Sequence, residues 1–145
     1  MNMKIAIASD HRGYALKKYL KENLDYDIVD LGTDSDEAVD YPDYGFLLGE
    51  KVSSGEFDFG IGICGSGIGI SIACNKVKGI RCAKVSTVEE AKYTRLDNNA
   101  NIIAISGEMD KDLALEIVKT FLSTDFSNGE RHIRRIAKIS EYEEK

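Results

Sequence analysis

Two hydrophobic rhythms alternate along the chain. Short stretches rich in Ile, Val and Ala recur: "KIAIAS" (4–9), "DIVDLG" (27–32), "FGIGIC" (59–64), "IRCAKV" (80–85) and "NIIAIS" (101–106). Their length and near-continuous apolar character predict buried strands. Between them the apolar positions fall at helical spacing. "GYALKKYLKENL" (13–24) reads as a helix, as does "DYGFLLGEKVSS" (43–54), which follows Pro42, the only proline. A third helix starts within a glycine loop after residue 64 and reaches about Asn75. Thr87 and Glu90 have the spacing of a capping box and open a fourth, ending near Leu96. Two more are expected over 112–123 and 130–143. Strands that each lead into a helix predict a parallel sheet covered on both faces. The expected fold is α/β: a three-layer αβα Rossmann-like sandwich with a five-stranded parallel sheet. No linker or repeat interrupts it, so residues 1–145 read as a single domain.

In such a fold, ligands collect at the carboxyl ends of the strands. That directs attention to Ser9-Asp10-His11-Arg12-Gly13, to the 32–42 loop, and to Cys64 through Gly69. The last lies in "FGIGICGSGIGISIACNK" (59–76). Gly60, Gly62 and Gly65 match a dinucleotide fingerprint in spacing, but two of them lie inside the strand rather than in the turn. No acidic residue stands near 20 positions further on, so nicotinamide or flavin binding is disfavoured. A P-loop motif is absent, and the cysteines at 64, 74 and 82 have no zinc spacing. Cys74 and Cys82 read as small core residues.

The loop has a different potential. Gly65, Ser66, Gly67, Ile68 and Gly69 can present backbone N–H groups at a helix start, a cradle for anionic oxygen. A positive helix end also favours the thiolate of a neighbouring cysteine. Cys64 would then be a base beside an oxyanion site, which proton abstraction next to a carbonyl requires. By position alone it can equally be a core residue at a strand end. Asp10 and His11 can open a cyclic sugar, or Asp10 can simply cap the helix that follows. Arg131 and Arg135, four apart on one helix face, suit a phosphate or a solvated basic face.

Net charge and cysteine count narrow the class. The formal charge of −6 argues against general nucleic-acid binding, with "RHIRR" (131–135) a local basic exception. Three cysteines without a CxxC pair suit reduced thiols in a cytoplasm. "MNMKIAIAS" lacks a signal-peptide pattern, and no apolar run is long enough to span a membrane.

Taken together, "SDHRGYALK" (9–17), "VDYPDYG" (39–45), "GICGSGIGISIACNKVKGIR" (62–81), "NNAN" (98–101) and "RHIRR" (131–135) resemble the ribose-5-phosphate isomerase B family, which includes galactose-6-phosphate isomerase subunits. The resemblance covers nearly the whole chain. It implies a metal-free, cofactor-free cytoplasmic aldose–ketose isomerase acting through an enediolate. It implies Cys64 as the base, Gly65 through Gly69 as holders of the enediolate oxygens, and Asp10 with His11 at ring opening or the phosphate end. Tyr41 would line the pocket, Asn98 would bind the sugar, and Arg131 and Arg135 the phosphate. At two places the chain departs from the family. Asp97 stands where a ring-opening histidine is usual, and "SGEMDKD" (106–112) has no arginine, Lys111 being its nearest cation. A hexose-6-phosphate substrate, one chain of a hetero-oligomer, and a non-catalytic sugar-phosphate sensor are the alternatives. Asp97 and Asn98 precede the fifth strand, at the opposite edge of the sheet from Cys64. If they are functional, the active site is shared between subunits of a homodimer or a dimer of dimers.

Overall fold

The computed structural model describes residues 3–145; the first two residues of the expected 1–145 domain lie outside them. The elements alternate as β1 (Ile5–Ser9), α1 (Tyr14–Asn23), β2 (Ile28–Asp30), α2 (Tyr41–Ser53), β3 (Phe59–Cys64), α3 (Ile68–Asn75), β4 (Cys82–Lys84), α4 (Val88–Leu96), β5 (Ile102–Ser106), α5 (Lys111–Ser123) and α6 (Glu130–Glu143). The five strands form one sheet in the order β2-β1-β3-β5-β4, and every pairing is parallel.

The two faces of the sheet differ in side-chain size, which explains the strand glycines. Ile5, Ile7, Ile61, Ile63, Ile103 and Ile105 pack with Leu16 and Leu20 of α1, Ala91 of α4, and Ile117 and Phe121 of α5. The opposite face carries Ala6, Ala8 and Ala104 and packs on Leu48 and Val52 of α2 and Ile70 of α3. Gly60 and Gly62 belong to this thin face, where Leu48 and Ile70 take the space a side chain would fill. They serve close helix–sheet packing, as their place inside the strand indicated.

Three boundaries differ from expectation. α2 begins at Tyr41, so Pro42 lies inside its first turn rather than before it. Proline is tolerated there because the first-turn N–H groups have no intrahelical acceptor. β2 and β4 are three residues each, shorter than the stretches that predicted them. Both are edge strands with a single neighbour. The capping box of α4 is present, with Thr87 and Glu90 satisfying each other's backbone N–H.

Two features of the fold bear on the site. β1 and β3 are adjacent, and the chain leaves them for opposite sides of the sheet, which creates a crevice at their carboxyl ends. α6, in contrast, buries none of its residues. Ile133, Ile139 and Tyr142 on it are exposed. It is tied down by Glu143 accepting from the Gly79 N–H, by a Lys78–Glu144 pair at 3.7 Å, and by a His132–Asp97 pair at 3.4 Å.

Candidate active site

The crevice between β1 and β3 opens into a cleft of about 900 Å³. Its floor is Asp10, Cys64, Gly65 and Ser66, and its wall is formed by His11, Tyr41 and Gly69. The register Ser9↔Ile63 brings the ends of the two strands level, and the Asp10 N–H donates to the Ile63 carbonyl at 3.2 Å. Cys64 is almost wholly buried, at 4% exposure, and still reaches the cleft.

The glycine loop is braced from behind by the turn after β5. The Gly107 N–H donates to the Cys64 carbonyl at 2.8 Å, and the Ser106 hydroxyl donates to the Gly65 carbonyl at 2.6 Å. Gly67 has φ +79°, and a Cβ there would meet the Ile105 carbonyl carbon at 2.8 Å. This left-handed residue is the N-cap of α3 and offers no side chain to its N–H groups. The Ile68 N–H is taken by the Ser66 hydroxyl. Those of Ser66, Gly67 and Gly69 have no acceptor among the described residues. Tyr41 lies against Gly69, where a Cβ would stand 2.6 Å from its ring. The sequence therefore needs glycine at 67 for the backbone and at 69 for the aromatic wall.

Asp10 and His11 are both fixed by backbone groups. Asp10 Oδ1 accepts from the N–H groups of Arg12 and Gly13 at 2.9 and 3.1 Å, which leaves Oδ2 free. Asp10 thus holds the turn before α1, while the N-cap position itself is Gly13. His11 Nδ1 accepts from the Val39 N–H at 3.1 Å. A ring nitrogen that accepts carries no proton, so in the neutral imidazole the proton is on Nε2 and His11 is a donor there.

Asp97, Asn98, Arg131 and Arg135 do not line this cleft. Asp97 caps α4 and Asn98 follows it, on the turn leading into β5 at the amino edge of the sheet. Buried Arg95 pins that turn through Asn99 Oδ1 and the Ala100 carbonyl, each at 2.8 Å. Arg131 and Arg135 are exposed on α6 and form no ion pair with the described residues. The partner of Asp97, His132, was not singled out by the sequence pattern. Nor was Ser106, because a serine ending an apolar strand carries no local signal. Lys111 lies over the Tyr19 ring at 5.0 Å. The cation that lines the cleft is Arg12.

The other two cysteines sit apart. Cys74 is fully buried, and its thiol donates to the Gly45 carbonyl at 3.4 Å. A hydrogen bond with Cys74, then burial, pushes the Cys82 thiol well up from its ordinary value, which keeps it protonated. No group of three or more His, Cys, Asp or Glu among the described residues is placed to hold a metal ion, and none of the described helices is long and apolar enough to cross a membrane.

A family model described as ribose/galactose isomerase matches residues 5–139. The chain belongs to the ribose/galactose isomerase family. Among relatives in this family, ribose-5-phosphate isomerase B of Escherichia coli K12 is 38% identical, over 98% of this chain and 97% of the relative. The solved ribose-5-phosphate isomerase B of Clostridium thermocellum superimposes with a TM-score of 0.94 at 49% identity, covering 98% of both chains. The Mycoplasma genitalium ribose-5-phosphate isomerase B, solved with ribulose-5-phosphate bound, gives 0.92 at 42% identity over 97% of this chain and 96% of that one.

Proposed function

We propose that this chain interconverts D-ribose 5-phosphate and D-ribulose 5-phosphate, as a single cytoplasmic domain without a resident cofactor. The observation that carries the chemistry is the placement of Cys64 beside a loop in which the Ser66, Gly67 and Gly69 N–H groups lack acceptors among the described residues, with Asp10 and His11 just beyond the end of the adjacent strand β1.

The free oxygen of Asp10 takes the proton of the anomeric hydroxyl, the bond from C1 to the ring oxygen breaks, and Asp10 passes that proton to the ring oxygen, which the His11 Nε2–H holds by a hydrogen bond. The Cys64 thiolate then takes the proton from C2 of the open aldose. The C–H electron pair becomes the C1–C2 double bond, and the charge moves to O1, where the loop N–H groups hold it. A proton passes from O2 to O1. Cys64 returns its proton to C1, and the carbonyl is left at C2. A coupled assay on ribose 5-phosphate, with galactose 6-phosphate in parallel, tests the assignment. Turnover of the pentose phosphate is expected; turnover of the hexose phosphate alone would replace it with the six-carbon reading, and binding without turnover would replace it with the sensor.

Asp97, Asn98, Arg131 and Arg135 act in the cleft of a second copy of the chain. Support comes from α6, none of whose residues is fully buried in its own subunit, and from Tyr41, Phe46, Ile68 and Ile72, apolar side chains exposed on α2 and α3. Asp97 arrives there together with His132, 3.4 Å away, and the pair assists Asp10 and His11 at the anomeric end of the sugar. Arg131 and Arg135 hold the phosphate, so alanine at either raises KM for the phosphorylated sugar.

A shared site makes a clear prediction. Cys64→Ala and Arg131→Ala fail in different halves of the site, so a mixed dimer keeps one intact cleft. Unfolding and refolding equal amounts of the two variants together is expected to restore about a quarter of wild-type activity at substrate well below KM, since about half of randomly paired dimers are mixed and each has one whole site. Activity that stays at the sum of the two variants would place both halves in one chain.

A further inference from the structure

We propose that Arg12 is a phosphate ligand contributed to the cleft by the same subunit as Cys64. The cleft is lined by three carboxylates, Asp10, Asp40 and Asp43, and Arg12 is the only Lys or Arg among its lining residues. A phosphorylated substrate entering such a wall meets net repulsion unless a cation faces it.

The position of the guanidinium is specific. Its Nη1, Cζ and Nε lie 2.5, 2.6 and 2.8 Å from where a Cβ on Gly65 would stand. The guanidinium therefore lies against the Gly65 backbone, next to Cys64, in space that exists because residue 65 has no side chain. The backbone beneath it is held, since the Arg12 N–H donates to Asp10 Oδ1. Its Nη2 donates to Glu108 Oε1 at 3.1 Å, on the turn after β5. That bond uses one of five N–H donors and leaves a fork free for an oxyanion.

Exposure separates a role at the phosphate from a role at the reacting carbons. The Arg12 side chain is 57% exposed, whereas Cys64 is almost wholly buried. A sugar with C1 and C2 against Cys64 extends its far end outward, toward the mouth, where Arg12 stands. The enediolate at the buried end already has the loop N–H groups as donors. Arg12 thus acts on binding more than on proton transfer.

The inference rests on the isomerase reading, and the test treats the two separately. Arg12→Met keeps much of the length and removes the charge; Arg12→Lys keeps the charge without the planar fork. On ribose 5-phosphate, Arg12→Met is expected to raise KM about 10- to 100-fold with kcat within about twofold of wild type, and Arg12→Lys to fall between. Inorganic phosphate, titrated calorimetrically into each protein, should bind the Met variant more weakly by a similar factor, with wild-type melting behaviour retained. An unchanged KM overturns the proposal. So does a fall in kcat at unchanged KM, which would put Arg12 at the reacting carbons. If wild type proves inactive on ribose 5-phosphate, the isomerase reading fails by itself. Phosphate titration then decides Arg12 alone, equal affinity of wild type and Arg12→Met overturning it.

Discussion

Replacing Cys64 with alanine is expected to abolish turnover while leaving the fold and phosphate binding in place. The side chain sits at the end of β3, level with Asp10 and against the loop whose Ser66, Gly67 and Gly69 N–H groups have no acceptor among the described residues. No other described thiol lines the cleft. Alanine leaves the cradle intact and removes the group proposed to take the proton from C2. A positioned acid–base group contributes about 10²- to 10⁴-fold to a rate. Removing this one should therefore cost about 3–5 kcal/mol of transition-state stabilisation, at ~1.36 kcal/mol per decade. Steady-state kcat and loss of solvent-deuterium incorporation at C1 and C2 measure it. Near-wild-type kcat in the variant would remove Cys64 from the mechanism. Cys74→Ala is the control: it lies in the core under α2 and should lower stability without touching kcat.

The largest expected effect on stability lies away from the cleft, at Asp30. Lys17, on α1, is fully buried, and its ammonium donates to Asp30 Oδ1 at 2.7 Å and to the Thr33 carbonyl. Asp30 Oδ1 also accepts from the Gly32 N–H at 2.9 Å, and Oδ2 from Lys21 at 2.9 Å. These groups tie α1 to β2 and to the start of the loop that leads to Tyr41. Asp30→Ala strands a buried ammonium with one carbonyl. Breaking a buried pair this way costs about 3–5 kcal/mol, or roughly 6–20 °C in Tm for a chain of this size. Lys21→Ala breaks only a half-exposed pair and should cost under about 1 kcal/mol.

The pH dependence follows from the same contacts. Burial by itself would raise the Asp30 carboxyl, but the hydrogen bonds from Lys17, Lys21 and the Gly32 N–H outweigh it and hold it below the usual carboxylate range. A depressed carboxyl stabilises the fold above its unfolded value of about 3.9, and the contribution is lost as pH falls through the lower folded value. Wild type should therefore keep this contribution at neutral pH and lose it only in acid. The Tm difference between wild type and Asp30→Ala should shrink as pH drops below about 4. A difference independent of pH in that range would mean the cost is lost packing rather than a lost ion pair.

Much of the chain was legible before the fold was known, for a local reason. Strand and helix periodicity, the Thr87–Glu90 capping box and the run of glycines after Cys64 are set by neighbours within a few residues. Their physics is backbone geometry and turn chemistry, so β1, β3, β5 and the start of α4 lie close to where the pattern puts them. The general place of the site followed as well, because parallel α/β sheets expose their loops at the strand ends. Sequence alone also established that Gly60 and Gly62 lie within a strand and not in a nucleotide-binding turn.

Tertiary structure decided the rest. The insertion of β5 between β3 and β4 is a long-range pairing that no local signal specifies. That order brings Ser106 and Gly107 behind the Cys64 loop and sets Glu108 against Arg12, a partner 96 residues away. It also leaves Lys111 over Tyr19, although along the chain Lys111 is the nearer cation. The Asp97–His132 pair joins the end of α4 to the first turn of α6 in the same way. Ion pairs and loop braces depend on distance in space, and distance in space depends on strand order. Residue types and short-range spacing could place Cys64 at the lip of a cleft; only the assembled sheet could put a guanidinium beside it.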